Sequence, residues 1–260
     1  MNPLDFVKPE NLSTVFEAQG YGVPVPEYGS SALTKVRELA KASNQNPANK
    51  LKKIARRLKL QKPDPLVSQD SHVINPALFE LATDACILDN VVRLLGPNLL
   101  LWTAQVLYTQ PGEAGAPWHS DPDCARARGV ILFLALTDKT LDRACPQIIP
   151  GTHRQAMSLD NMAAKEGTNL ADTPQVVALA NRYFPQSDAH AVVSVDLSPG
   201  QYLLMTGGVW RGVTPNLSSD HGMAFIARYT TPEFAGQVAN PCILVHGEDR
   251  FHQKSLHQPP

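Results

Sequence analysis

The sequence predicts an α+β fold in which an N-terminal helical layer supports a sandwich or barrel of antiparallel strands. Helical patterns dominate before residue 98 and short apolar or alternating runs dominate from residue 99, with a polar, partly helical insertion at 160–186. Helices gathered first and strands later indicate segregated layers, because alternating βα units would instead build a parallel sheet. A further 22 prolines and 16 glycines punctuate the chain into short segments, which suits strands joined by long loops.

The helices come first. A helical pattern runs from Ser31 to Ala42 after a turn at Tyr28-Gly29. Asn46-Pro47 reads as an N-cap followed by proline at the first helical position. Leu51, Ile54, Ala55 and Leu58 then recur at helical spacing, while Lys50, Lys52, Lys53, Arg56, Arg57 and Lys59 fill the other face. This basic helix, 47–62, reads either as a solvated outer face or as a landing patch for an anionic substrate or carrier. A third helix, Pro76 to Leu95, stops at Gly96-Pro97. The strands follow at 99–109, 129–137, 191–197, 201–206 and 223–230, each bounded by Gly, Pro or Asp. The chain reads as a single domain over 1–260, with helical support to 98, a strand core at 99–246 and a polar tail at 247–260.

Composition narrows the class. A 43% hydrophobic and 18% charged chain of 260 residues can bury a sizeable core. A net charge of -1 argues against a nucleic-acid or membrane-surface binder. The charge is uneven: residues 1–68 hold eleven Lys/Arg against six Asp/Glu, leaving twelve against eighteen in the remainder. Cys86, Cys124, Cys145 and Cys242 are widely spaced without a CxxC, so neither a zinc ribbon nor a disulfide framework is expected. No run of eighteen apolar residues is present, and the opening MNPLDFVKPENLS lacks a basic stretch followed by an apolar one. A cytoplasmic location is therefore the expectation.

Chemistry concentrates at Pro117-Trp118-His119-Ser120-Asp121. Residues i and i+2 of an extended segment face one side, so His119 and Asp121 present an imidazole and a carboxylate to one point. With a second histidine from a distant strand, that pair makes the facial triad of non-haem iron oxygenases. Around it stand Pro111-Gly112, Ala135-Leu136-Thr137-Asp138, Ile149-Pro150-Gly151-Thr152-His153-Arg154 and the run from Trp210 to Ser218, then Arg228-Tyr229. Upstream, Leu95-Gly96-Pro97-Asn98 closes the segment from Pro76 to Leu101.

Over residues 70–232 this ordered series closely resembles the phytanoyl-CoA dioxygenase family of iron(II)/2-oxoglutarate oxygenases. The resemblance implies a double-stranded β-helix (a jelly-roll, cupin-like barrel) with helices packed on it. It implies iron(II) held by His119 and Asp121, with 2-oxoglutarate as cosubstrate and a ferryl species that abstracts hydrogen. The expected function is oxidation of a small apolar organic molecule, in biosynthesis of the specialised kind. Halogenating relatives replace the carboxylate, and Asp121 is retained.

Two positions depart from the family pattern. The second histidine is expected where Arg211 stands, and the arginine that holds the far carboxylate of 2-oxoglutarate, eleven residues on, falls on Gly222 beside His221. Arginine stays protonated and has no lone pair for a metal. A lost anchor forfeits a charge-assisted contact of roughly 1.5–3 kcal/mol. Three explanations stay open. His221 or Arg211 substitutes, as a ligand or a carboxylate binder respectively. Alternatively, the scaffold works without metal as an isomerase or cyclase, with Arg211 stabilising charge and His119/Asp121 as an acid–base pair. In the third, the chain is a non-catalytic partner of an active paralogue, which makes a homodimer or heterodimer an expectation. Gln105, Tyr108, Phe133 and Arg211 are candidates for the cofactor site, and Trp102, Trp118 and Trp210 for the substrate pocket. His153 and Arg154 read as a structural tie between a turn and the barrel, and His246, His252 and His257 receive no role.

Overall fold

The computed structural model describes residues 6–24, 33–38, 71–155, 157–185, 191–238, 241–253 and 256–260. The basic segment 47–62 lies outside them, and of the pattern from Ser31 to Ala42 only 33–38 are described, as helix.

Helix α1 (Leu12–Gln19) ends at Gly20 in the left-handed conformation and leads into the short strand β1 (Tyr21–Gly22). The expected helix from Pro76 to Leu95 is two helices, α3 (Pro76–Ala82) and α4 (Ala85–Leu95), preceded by the single turn α2 (Ser71–Ile74). Helix α3 stops where Thr83 turns its hydroxyl back onto the Phe79 carbonyl. Asp84 then caps a new N-terminus by accepting from the Cys86 amide at 3.0 Å.

Among the described residues nine strands form two antiparallel sheets. The larger has the order β1-β6-β3-β8-β2-β9 and the smaller β5-β4-β7. In chain order β2 spans Leu99–Thr109, β3 Val130–Ala135, β4 Pro146–Ile149, β5 Val193–Ser194, β6 Tyr202–Thr206, β7 Trp210–Val213, β8 Gly222–Thr230 and β9 Ile243–His246. The expected strand at 191–197 is only two residues long. Strands β1, β4, β7 and β9 were not expected, because four residues or fewer carry too little alternation to be read.

Alternation in the large sheet separates two cores. Leu132, Leu134, Leu204, Phe225 and Ala227 face the helices, packing on Leu78, Leu81, Ile87 and Val91. Ile131, Phe133, Leu203, Ala224 and Ile226 face the other way and meet Ile148 from the small sheet and Val195 just beyond it. Each buried Leu, Ile, Val or Phe among them contributes on the order of 1.5–3 kcal/mol, and the alanines less. The two sheets thus close on each other as a double-stranded β-helix, with the helical layer on the outer face of the large one. The insertion forms α6 (Leu159–Glu166) and α7 (Thr173–Tyr183), which pack with Ile149, Trp118 and Trp210 in a third cluster. Among the described residues no helix is long and apolar enough to cross a membrane.

Candidate active site

The motif segment is sewn into the small sheet by its backbone. The His119 amide donates to the Arg211 carbonyl at 2.9 Å and the Arg211 amide returns the bond at 3.0 Å, an antiparallel bridge that adds the motif beside β7. Directly opposed residues put their side chains on the same face, about 4.5–5.5 Å apart at Cβ. The position opposite His119 is therefore placed as a third ligand would be; only its residue type differs. The Asp121 amide donates to Gly207 at 2.8 Å. Gly207 permits this approach: a Cβ there would lie 2.2 Å from the Ala125 nitrogen and 2.6 Å from the Asp121 carbonyl oxygen.

Asp121 does two things at once. It is the N-cap of α5 (Pro122–Arg126), its Oδ1 accepting from the Cys124 amide at 2.9 Å. Its Oδ2 accepts from Arg228 Nε at 2.8 Å, with Arg211 Nη2 3.8 Å away. Arg228 is held in turn by the Thr103 hydroxyl at 3.2 Å, and its guanidinium lies 5.9 Å from the centre of the Trp102 ring. Burial alone would push the Asp121 carboxyl up. Arg228, the Cys124 amide and Arg211 together outweigh it and hold the carboxyl below its usual range.

His119 is oriented by its own backbone. Its Nδ1 lies 2.9 Å from the Pro117 carbonyl, and a carbonyl only accepts, so Nδ1 carries the hydrogen and Nε2 the lone pair. Burial, then the Arg211 charge, lower its pKa against the opposing pull of Pro117 and Asp121, so the ring is neutral at pH 7. Arg211 itself is 8% exposed and, besides its approach to Asp121, makes long contacts to the Gly207 and Val209 carbonyls, at 3.5 and 3.4 Å.

A profile of the phytanoyl-CoA dioxygenase family matches residues 17–223. This chain belongs to that family. A sequence search of curated proteins finds no match. Among solved structures, the phytanoyl-CoA dioxygenase homologue is similar to the non-heme monooxygenase ThoJ in a nickel complex, at 20% identity and a TM-score of 0.65, over 96% of this chain and 89% of that one. It is also similar to EctD from S. alaskensis with 2-oxoglutarate and 5-hydroxyectoine, at 18% identity and a TM-score of 0.65, over 88% and 80% of the two chains. The epimerase SnoN in complex with Fe3+, alpha ketoglutarate and nogalamycin RO matches at 17% identity and a TM-score of 0.60, over 86% and 84%. At such identities the likeness is one of fold.

The side chains of this family member do not fit the family's iron. His119 and Asp121 supply two ligand types, but the third position is a guanidinium and both Asp121 oxygens already accept hydrogen bonds. Among the described residues no three His, Cys, Asp or Glu side chains converge as a metal site. His221 does not substitute, since its Nε2 pairs with Gln110 Oε1 at 2.9 Å in an exposed turn.

The other candidates divide. Gln105 and Phe133 face the barrel interior, paired on either side of Ile226, and Trp102 is there beneath Arg228. Tyr108 is of opposite parity and packs toward the helices, which removes it from the cofactor candidates. Trp118 and Trp210 are 3% and 1% exposed in the insertion core, the first bonded to the Thr173 hydroxyl and the second edge-on to Phe184. They are core residues rather than pocket walls. His153 and Arg154 tie the turn to α1 rather than to the barrel, through the Glu17 and Ala18 carbonyls. A cavity of about 530 Å³ lined by Phe16, Arg128, His153 and Phe234 opens behind Gly207 and touches none of His119, Asp121 or Arg211. Sequence reading missed Arg228 as a site residue, although even spacing from Gly222 places it on the interior face.

Proposed function

We propose that this chain is a family member that works without metal, catalysing proton transfer on a small organic molecule, as in an isomerisation or ring closure. The observation that carries this is Arg211, seated opposite His119 where a third ligand belongs and facing the same carboxylate as Arg228. His119 Nε2 is the proton acceptor and later returns the proton. Arg211 stabilises the oxyanion that develops when a proton leaves the carbon beside a carbonyl. Asp121 balances the two arginines and fixes their geometry. The interior around Phe133, Leu203 and Ile226 is apolar and excludes water from the reacting carbon. Exhaustive EDTA treatment followed by screening of carbonyl compounds for solvent deuterium uptake tests this. Uptake that survives EDTA and is lost in His119→Gln supports it; uptake that requires added iron overturns it.

A second reading is the family's own chemistry, an iron(II)/2-oxoglutarate oxidation of a small apolar molecule with His119 and Asp121 as ligands. Family membership and the intact backbone bridge at the third position favour it. Under this reading, anaerobic iron(II) with 2-oxoglutarate gives the visible charge-transfer band of a ternary complex, and the first reading predicts none.

A further inference from the structure

Lys139 sits where the family's carboxylate anchor has been lost. It follows β3, and its backbone exchanges hydrogen bonds with Leu197 at 2.8 and 3.0 Å. Leu197 belongs to the interior core, and directly paired residues share a face, so the lysine side chain enters the barrel. It is 2% exposed. Its Nζ lies 3.1 Å from where a Cβ on Gly222 would be, with the Thr109 side chain at 3.3 and 3.6 Å from the same point. A larger side chain at 222 would meet this ammonium; glycine leaves the space to it. Among the described residues no carboxylate pairs with Lys139, although buried lysines are almost always paired.

We infer that Lys139, with the Thr109 hydroxyl, is a binding site for the carboxylate of an organic-acid ligand, taking over at a new chain position the task left open at Gly222. Burial pulls the pKa of Lys139 down to about 8, against a smaller opposite effect of Cys145. With that value the group is still mostly an ammonium at pH 7, a buried charge without a carboxylate partner, and an arriving anion supplies the missing counter-charge. The interior route from this ammonium toward His119 passes Ala224, Ile226 and Phe133, all apolar. The ligand class is therefore an acid with a hydrocarbon or carbonyl-bearing chain. Gly222 and Arg228 are six residues apart on one strand, roughly 20 Å along the backbone, so an acid longer than five carbons fits between the two charged ends. This site does not depend on whether iron binds at His119.

The test uses EDTA-treated full-length protein and straight-chain acids of six to nine carbons, each compared with its primary amide by calorimetry or saturation-transfer NMR. The parent is expected to favour at least one acid over its amide by tenfold or more. Lys139→Met is expected to abolish that preference while keeping a melting temperature at or above the parent's, and Lys139→Arg to retain the preference. No acid preference in the parent, or a preference undiminished in Lys139→Met, overturns the assignment. So does a preference lost only in Arg211→Met, which moves the anion site to the arginine pair. A Lys139→Met protein that melts well below the parent makes the lysine structural and equally overturns it.

Discussion

Replacing Asp121 by Asn removes a charge while leaving shape and capping ability almost unchanged. The carboxylate is 14% exposed, its Arg228 partner 17% at 2.8 Å, and Arg211 10% at 3.8 Å. Removing one partner of a buried pair costs about 3–5 kcal/mol because the other charge is left uncompensated. The residual exposure places this case near the lower end, about 3 kcal/mol, which in a chain of this size lowers the melting temperature by roughly 6–12 °C. Asn still accepts from the Cys124 amide, whereas Asp121→Ala also loses the cap and costs about 1 kcal/mol more. Circular dichroism melts in EDTA at pH 7 measure both. Since the native carboxyl titrates below its usual value, its contribution is present above about pH 4 and is lost as pH falls through the lowered native value. The gap between parent and Asp121→Asn should therefore close in acid. An apo-protein in which Asp121→Asn is as stable as the parent, or more so, would refute the counter-ion role. That is the behaviour of a carboxylate whose proper partner is a missing metal ion.

Arg211→His should supply a lone pair opposite His119 and raise cobalt(II) or nickel(II) affinity at least tenfold, about 1.4 kcal/mol, read from d–d absorption; no gain means the bridge does not place the side chain as a ligand. His119 has a native pKa below its ordinary value, so the neutral base persists to lower pH than in a free imidazole, and turnover should fall only as pH drops below about 6.5. A profile falling from higher pH would assign the base elsewhere. Lys139, at about 8 in the native state, disfavours folding while charged. The parent should thus gain on Lys139→Met as pH rises from 8 through 10.5, by about 3 kcal/mol in all; parallel stability curves would count against a buried unpaired ammonium. Gly207→Ala forces a Cβ to within 2.2 Å of backbone, and should cost several kcal/mol or abolish soluble expression.

The fold was legible because long elements carry long patterns. The alternation of Leu99 to Thr109 and of Gly222 to Thr230 identifies the two strands that pair over nearly their whole length. The four strands that were not expected are specified by pairing partners far away in sequence, so local periodicity could not reveal them. One helix was read where two exist because Asp84 fits a helical pattern and its capping role appears only in its bond to Cys86. At the site, the i, i+2 spacing and the family pattern pointed to His119, Asp121 and Arg211, which the structure brings together. Neither could show that Asp121 would be shared with Arg228, which lies 107 residues away. Lys139 left no signal at all. A lone lysine after a strand reads as surface, and only the pairing with Leu197 turns it inward. Of the aromatic candidates, Tyr108 falls on the helix-facing side by parity, while Trp118 and Trp210 serve the insertion core, which sequence reading treated as an interruption rather than a packing partner.

The capping bond from Asp121 to α5 separates the history of the aspartate from that of any metal. A chain that loses its distal histidine still needs a residue to begin this helix, so the aspartate has reason to persist after iron is gone. Histidine codons (CAY) become arginine codons (CGY) by one base change, and at position 211 the new cation meets a carboxylate already in place. The exchange is thus accessible in a single step, without passing through a stranded buried anion. A retained His-x-Asp is therefore not by itself a sign of iron, and the residue to inspect is the one whose backbone pairs with the histidine.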